Sequence, residues 1–203
     1  MKETGQKWPV SSCYTTCMTV GIDEVGRGCW AGPLVAGAVA LCDPIAGLAD
    51  SKKLPKLRRE QLAAEIQVIA AGVGLGWVAA AEIDRVGLTQ AVRLAMQRAL
   101  VQIRVAYDEI IIDGNINFFA NDPHARAIVR ADDSVPAVSA ASIVAKVARD
   151  HWMTLAACEY PAYGFEKHVG YGTKFHQDML QLHGVCALHR KSYKPVQAIL
   201  GAA

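Results

Sequence analysis

The sequence is sparing with aromatic residues, with charge and with paired cysteines. Of its 203 residues 7% are aromatic and 20% are charged, and the net charge is only +2. A balance that small does not by itself announce a polyanionic partner. The six cysteines (13, 17, 29, 42, 158 and 186) form no CxxC pair, and no Cys/His pair at zinc spacing follows Cys13 and Cys17. Neither a zinc ribbon nor a disulfide scaffold is therefore expected, and the cysteines read as reduced thiols, mostly buried as small hydrophobes. Long apolar runs are missing too: the longest weakly polar stretch, Gly32 to Cys42, is too short for a bilayer and gives way to Asp43 and Pro44. The first residues lack the apolar segment of a secretory signal, so the expectation is a cytoplasmic protein with no membrane partner. Glycine (17) and proline (8) are ordinary in number, and no 20–50-residue period recurs, which excludes collagen-like and solenoid architectures. The chain does have a 52% hydrophobic composition, enough to exclude disorder and to fill the core of one domain.

Residues 1–17 read as a loose tail and residues 18–200 as a single domain. Apolar, β-branched runs at Met18–Ile22, Leu34–Leu41, Val73–Val78, Glu109–Ile112 and Ala127–Arg130 predict strands. Helical spacing predicts helices over Lys56–Ala71 (Leu62, Ile66, Ile69) and over residues 88–103 (Val92, Met96, Ala99, Ile103). Ser139 is a candidate N-cap for a long helix reaching Cys158, with Val144, Val147, His151 and Leu155 on one face; Thr173 would cap a short helix ending before Gly184; Val196–Leu200 suits a last helical turn. A hairpin followed by strands alternating with helices argues for an α/β domain with a mixed sheet. The stretch after about Cys158 looks like a small helical extension packed on it.

The informative pattern lies at the strand ends. Three apolar runs finish in carboxylates: Asp23-Glu24, Asp113 and Asp132-Asp133. In open α/β sheets, sites form beyond the carboxyl ends of strands. If these strands are neighbours, the acids converge, and crowded like charges persist only when cations neutralise them. Oxygen ligands without His or Cys favour Mg²⁺ or Mn²⁺ over zinc. Two such ions roughly 3.5–4 Å apart activate a water and stabilise the leaving oxygen of a phosphodiester. Directly after the first acid pair comes Gly26-Arg27-Gly28, whose backbone N–H groups suit an anion or a sugar hydroxyl. Residues 144–203 carry seven Lys/Arg against four Asp/Glu and five of the six histidines, a basic balance that suits a phosphate-rich partner.

These strings together resemble the type 2 ribonuclease H family, ribonuclease HII. The resemblance begins with Gly21-Ile22-Asp23-Glu24-Val25-Gly26-Arg27-Gly28 and continues through Gly32-Pro33, Asp50-Ser51-Lys52-Lys53-Leu54 and Ile112-Asp113-Gly114. It includes the block from Ser139 to Asp150, then His168-Val169-Gly170-Tyr171-Gly172-Thr173, and ends at His189 to Val196. In order, it covers about residues 18–200. It implies the ribonuclease H-like fold and a monomeric, metal-dependent endoribonuclease. The implied substrates are RNA–DNA hybrids and duplex DNA containing single ribonucleotides, cut to leave 5′-phosphate and 3′-hydroxyl ends. By the same resemblance Asp23, Glu24, Asp113 and Asp132 are the catalytic and metal-binding acids. Asp132 is preferred to Asp133 because Arg130-Ala131-Asp132 matches a basic–small–acid pattern, with Ala131 where the family usually has glycine. The Gly26, Arg27 and Gly28 backbone would hold the ribose 2′-hydroxyl, and Tyr171 would stack on the sugar. Reading the sugar rather than the base makes recognition tolerant of sequence.

Lys52, Lys146 and Arg190 are candidate phosphate contacts, which carry affinity and salt dependence without sequence information. Ser139 and Ser142 suit a helix cap or a backbone phosphate grip. His168, His176 and His189 read as structural or phosphate-facing, since two metals already supply the acid–base chemistry. Two alternatives share part of the pattern: another nuclease of the same fold, such as a junction resolvase, and a catalytically silent nucleic-acid-binding module. The first has no use for the glycine loop and tyrosine, and the second has no use for four intact acids.

Overall fold

A computed structural model describes residues 17–48, 51 and 54–201. The expectation of a loose tail therefore falls, but for Cys17, outside the described residues, as does Lys52. A hairpin of β1 (Thr19–Val25) and β2 (Leu34–Leu41) opens the fold. Helix α1 (Lys56–Ile69) leads to β3 (Gly72–Val78), and α2 (Ala80–Val86) and α3 (Leu88–Leu100) lead to β4 (Glu109–Asp113) and β5 (Ala125–Ile128). The long helix α4 (Pro136–Glu159) precedes three short ones: α5 (Phe165–His168), α6 (Lys174–His183) and α7 (Lys194–Leu200). The strands form one mixed sheet in the order β3-β2-β1-β4-β5, antiparallel from β3 to β1 and parallel from β1 to β5.

Alternation along the strands sends side chains to two cores. On one face Val20, Ile22, Ile110 and Ile112 pack with Val92, Met96 and Ala99 of α3. On the other, α4 lies almost on the backbone of the sheet. A Cβ on Gly21 would sit 2.1 Å from the Ala137 carbonyl carbon, and one on Gly37 would sit 2.4 Å from the Ala141 oxygen. The missing side chains let α4 cross β1 and β2 closely, with its N-terminal half above Asp23. Residues 161–200 pack Tyr163 and Phe165 against Met153 and Ala157, on the C-terminal half of α4.

Several boundaries differ from the sequence reading, each for a local reason. Strand β1 runs on through the acids to Val25 because Asp23 and Glu24 pair with Gly37 and Ala36 of β2. Strand β5 stops two residues early, since Val129 is exposed and Arg130 turns into the left-handed region at φ 59°. Helix α4 starts at Pro136, whose fixed φ suits the first helical turn, so Ser139 lies inside it and is not its cap. The buried stripe of α4 is Ser142, Ala145, Arg149 and Met153; His151 and Leu155 are exposed. Ile69 also faces outward. Helices α2 and α5 were unforeseen. Thr173 does cap α6, accepting from His176 N–H. Cys29 is buried, but Cys17, Cys42 and Cys158 are exposed, against the expected pattern.

Candidate active site

The parallel register sets the acids side by side. Ile22 pairs with Ile112, so Asp23 and Asp113 occupy the next rung and leave the same face. Asp113 in turn pairs with Ile128 at the end of β5, and its Oδ1 accepts the Ala131 N–H at 2.8 Å. That bond anchors the tight turn Ala131–Asp133, in which Asp132 is buried. The Asp132 carbonyl accepts from Ser139 Oγ at 2.6 Å. The serine expected to cap α4 thus ties Asp132 to the helix instead. Arg130 pairs with Asp133 at 2.8 Å on the outer side of this turn.

Asp23 is 7% exposed. Its Oδ1 accepts the Glu24 N–H at 2.7 Å, and its side chain also bonds Ser142 on α4. Ser142 reaches Ser51 at 2.9 Å. Burial, then repulsion from Glu24 and Asp113, raises the Asp23 carboxyl to about 8. Glu24 is raised too, chiefly by burial; Arg27, 3.1 Å away, works against that rise, and Asp113 adds to it. The cluster is therefore short of positive charge among the described residues. Among the described residues no group of three or more His, Cys, Asp or Glu is arranged to hold a metal ion as it stands. The donors nonetheless suit one: they are hard oxygens, mutually repelling, on adjoining elements, and the proton that burial keeps on Asp23 is what a divalent cation would displace.

The loop after β1 curls beside the acids. Gly26, at φ 92°, has no room for a side chain, since a Cβ would lie 2.4 Å from Arg149 Nε. A Cβ on Gly28 would meet nothing within 4 Å. Two fully buried arginines hold this loop by its carbonyls. Arg149 of α4 donates to Pro33 O, Val169 O and Ala31 O. Arg190 donates to Gly32 O through Nε and Nη2, and to Arg27 O through Nη1. The expectation that Arg190 touches phosphate is corrected: its side chain is 0% exposed and its donors face the loop. Arg149, which the sequence reading passed over as part of a motif, does the same work. In the structure it falls on the buried Ser142–Ala145–Met153 stripe, where a charge has no place unless it is fully hydrogen-bonded, whereas the stripe expected from the sequence does not include it.

Tyr171 stands against this loop. Its main chain is tied to the loop through the Trp30 N–H, which donates to Gly170 O at 2.8 Å, and its hydroxyl pairs with the Cys29 thiol. The ring is partly exposed, and Lys146 Nζ lies 5.7 Å from its centre while pairing with Asp150 at 2.8 Å. The residues expected to read substrate therefore sort into Gly28 and Tyr171, which are open to a ligand, Lys146, which is mostly buried and paired with Asp150, and Gly26 and Arg190, which build the loop. Arg27 contributes its carbonyl to the scaffold and its guanidinium to Glu24. His168, His176 and His189 are buried, not phosphate-facing.

A mixed five-stranded sheet with acids on the adjoining tips of β1 and β4, flanked by helices, defines a nuclease of the ribonuclease H-like class. The family model described as ribonuclease HII matches residues 20–196. The chain is 46% identical over 188 residues to ribonuclease HII of Delftia acidovorans, covering 92% of this chain and 80% of that one. Its fold matches the ribonuclease H2 of Pyrococcus horikoshii with a TM-score of 0.78 at 25% identity, covering 91% and 98% of the two chains. Bst-RNase HIII, solved in complex with Mn²⁺, matches with a TM-score of 0.74 at 19% identity, over 100% of this chain and 76% of that one. The chain belongs to the ribonuclease HII family and is a metal-dependent ribonuclease. Among the described residues no helix is long and apolar enough to cross a membrane.

Proposed function

We propose that this protein hydrolyses the RNA strand of RNA–DNA hybrids and nicks duplex DNA on the 5′ side of an embedded ribonucleotide. The products carry 5′-phosphate and 3′-hydroxyl ends. The observation that carries this reading is an under-neutralised acid group followed directly in the chain by an open glycine backbone, with a half-exposed tyrosine bonded to that loop through Cys29. Asp23, Glu24, Asp113 and Asp132 would hold the divalent cations, Mg²⁺ or Mn²⁺. When bound, those ions supply an activated water and stabilise the leaving 3′ oxygen. Asp23 must give up its proton for this, and Ser142 and the Glu24 N–H hold its carboxylate in place. The Gly28 backbone meets the 2′-hydroxyl, the atom that distinguishes ribose from deoxyribose. Tyr171 stacks on the sugar, and Lys146, already beside that ring, meets a backbone phosphate. In the cell this chemistry serves ribonucleotide removal from DNA.

The test compares two glycines. Gly28→Ala adds a methyl group where the protein has space and an ordinary backbone angle, so melting temperature holds while cleavage at a single ribonucleotide falls sharply. Gly26→Ala clashes with Arg149 at a positive φ and lowers stability by about 1–3 kcal/mol. Full activity of Gly28→Ala would remove the sugar grip from the reading. A digest of duplex DNA with one ribonucleotide, beside an all-DNA junction and with or without Mg²⁺ or Mn²⁺, tests the reaction itself. The nick maps to the 5′ side of the ribonucleotide and requires metal, whereas cutting of the junction alone would overturn the assignment.

A further inference from the structure

The turn that presents Tyr171 is strained and heavily tied. Val169 lies at φ 42° and Gly170 at φ 84°; the left-handed region is unfavourable for a β-branched residue and persists only where the surroundings enforce it. His168 Nδ1 accepts the Gly170 N–H at 3.2 Å, and the Tyr171 N–H donates to His168 O at 2.9 Å. Val169 O accepts from Arg149. The Tyr171 carbonyl is met by His176 Nδ1 at 2.9 Å, and behind it His176 Nε2 lies 3.1 Å from His189 Nε2.

The protons on these rings follow from their neighbours. The Cys186 N–H can only donate, and it lies 3.0 Å from His189 Nδ1. That nitrogen is therefore bare and His189 carries its proton on Nε2. His176 must accept that proton's hydrogen bond at Nε2, so its own proton sits on Nδ1 and donates to Tyr171 O, a carbonyl that can only accept. The two ends of the path demand the same proton order. His168, stacked on His176 with ring centres 4.3 Å apart, is fixed likewise: its Nδ1 accepts and its Nε2–H donates to Tyr163 O at 2.9 Å. All three rings are buried, and burial holds His176 and His189 neutral, down at about 4.

We infer that His176 and His189 are positioning residues for ribonucleotide recognition. Through the ordered path from the Cys186 N–H to the Tyr171 carbonyl they fix where the Tyr171 ring stands. This inference rests on the reading of Tyr171 as the sugar platform. A ring that merely filled the core would be indifferent to which of its nitrogens donates, whereas this path is not.

Asparagine and glutamine separate the two roles, because an asparagine amide nitrogen takes the place of Nδ1 and a glutamine amide nitrogen that of Nε2. At 176 the donor to Tyr171 O must sit at the Nδ1 position; at 189 the donor to His176 must sit at the Nε2 position. On a duplex with one ribonucleotide, H176N should therefore lie closer to wild type than H176Q, and H189Q closer than H189N. The worse member of each pair should raise KM about 3- to 10-fold, the value of one lost hydrogen bond. Combined with Y171A, H176Q should add little further, since both act through one ring. Thermal melts accompany each variant, and the order at 189 serves if H176Q does not fold. The inference falls if asparagine and glutamine are equivalent at both positions, or if the effects of H176Q and Y171A simply add. If Y171A alone leaves KM unchanged, the sugar-platform reading fails first and takes the inference with it.

Discussion

At the tips of β1 and β4, Asp23 and Asp113 share one rung with Glu24 beside them, and Arg27 pairs with Glu24. In the loop that follows, Arg149 and Arg190 are buried without a carboxylate partner among the described residues, and they donate to main-chain carbonyls and, from Arg190, to the Tyr193 hydroxyl. Among the described residues no buried side-chain nitrogen or oxygen lacks a partner. The acid region is thus incomplete in charge, while the loop region is complete in hydrogen bonds. An incomplete region is finished by its ligand and changes with it. A complete one is preorganised, and reads a shape that does not change. Catalysis by bound cations needs the first condition, and discrimination of one hydroxyl group needs the second.

The sharpest way to break this contrast is to complete the acid region artificially. D23N removes the ionisable carboxyl and keeps the shape and the Ser142 contact. Turnover should fall on the order of 10⁴-fold or more, as when a group central to the chemistry is removed, while substrate binding stays largely intact. Without metal the variant should melt higher than wild type at and above about pH 8, where the wild-type carboxyl has lost its proton and is repelled by Glu24 and Asp113. Full activity, or a lower melting temperature in chelator at about pH 8, would show that Asp23 is not the crowded carboxyl described here.

The opposite operation opens the complete region. R190L leaves Gly32 O without its donor and Arg27 O with Tyr193 alone, and should cost about 2–4 kcal/mol in denaturant unfolding. R190K should recover little of this, since one ammonium cannot fork to two carbonyls from the same place. A loosened loop raises KM for the single-ribonucleotide duplex more than it lowers kcat. If R190L unfolds like wild type, the arginine is not the staple that its burial implies.

The two regions were also unequally legible in the sequence. The acids could be found because hydrophobic runs announce strands, and Asp23, Asp113 and Asp132 punctuate them at the carboxyl ends. Their convergence depended on strand order, which the parallel β1–β4 pairing supplies. The resemblance quoted Arg149 and Arg190 without revealing that they are buried, because a basic residue at the surface and one bonded to carbonyls look alike as letters. Ser139 misled for a related reason: serine before a helical run is an N-cap signal, but Pro136 starts the helix earlier and frees the hydroxyl for Asp132 O. Helix α2 escaped because it is only seven residues long, too short to show a period.

The smallest expected effect sets the two regions against each other within one titration. His176 and His189 are lowered from 6.5 to about 4, so from about pH 6.5 down to 4 the unfolded chain binds the extra protons. Stability from these rings is present above pH 6.5 and is lost as pH falls towards 4. His168, lowered mainly by burial, acts in the same sense; Glu166 and the Tyr163 carbonyl oppose it. Asp23 is raised from 3.8 to about 8, so over that range the folded chain binds the extra proton, and its contribution is lost as pH rises through 8. Glu24, raised as well, has the same sign. In chelator, melting temperature should therefore peak near pH 6.5 and decline on both sides. Saturating Mg²⁺ or Mn²⁺ should lift the alkaline limb and leave the acid limb in place, because cations replace the proton on Asp23 and do nothing for buried imidazoles. D23N should flatten the same limb without metal. A metal-induced rise equal at pH 5 and pH 8 would mean that cations bind elsewhere than on the protonated acid group.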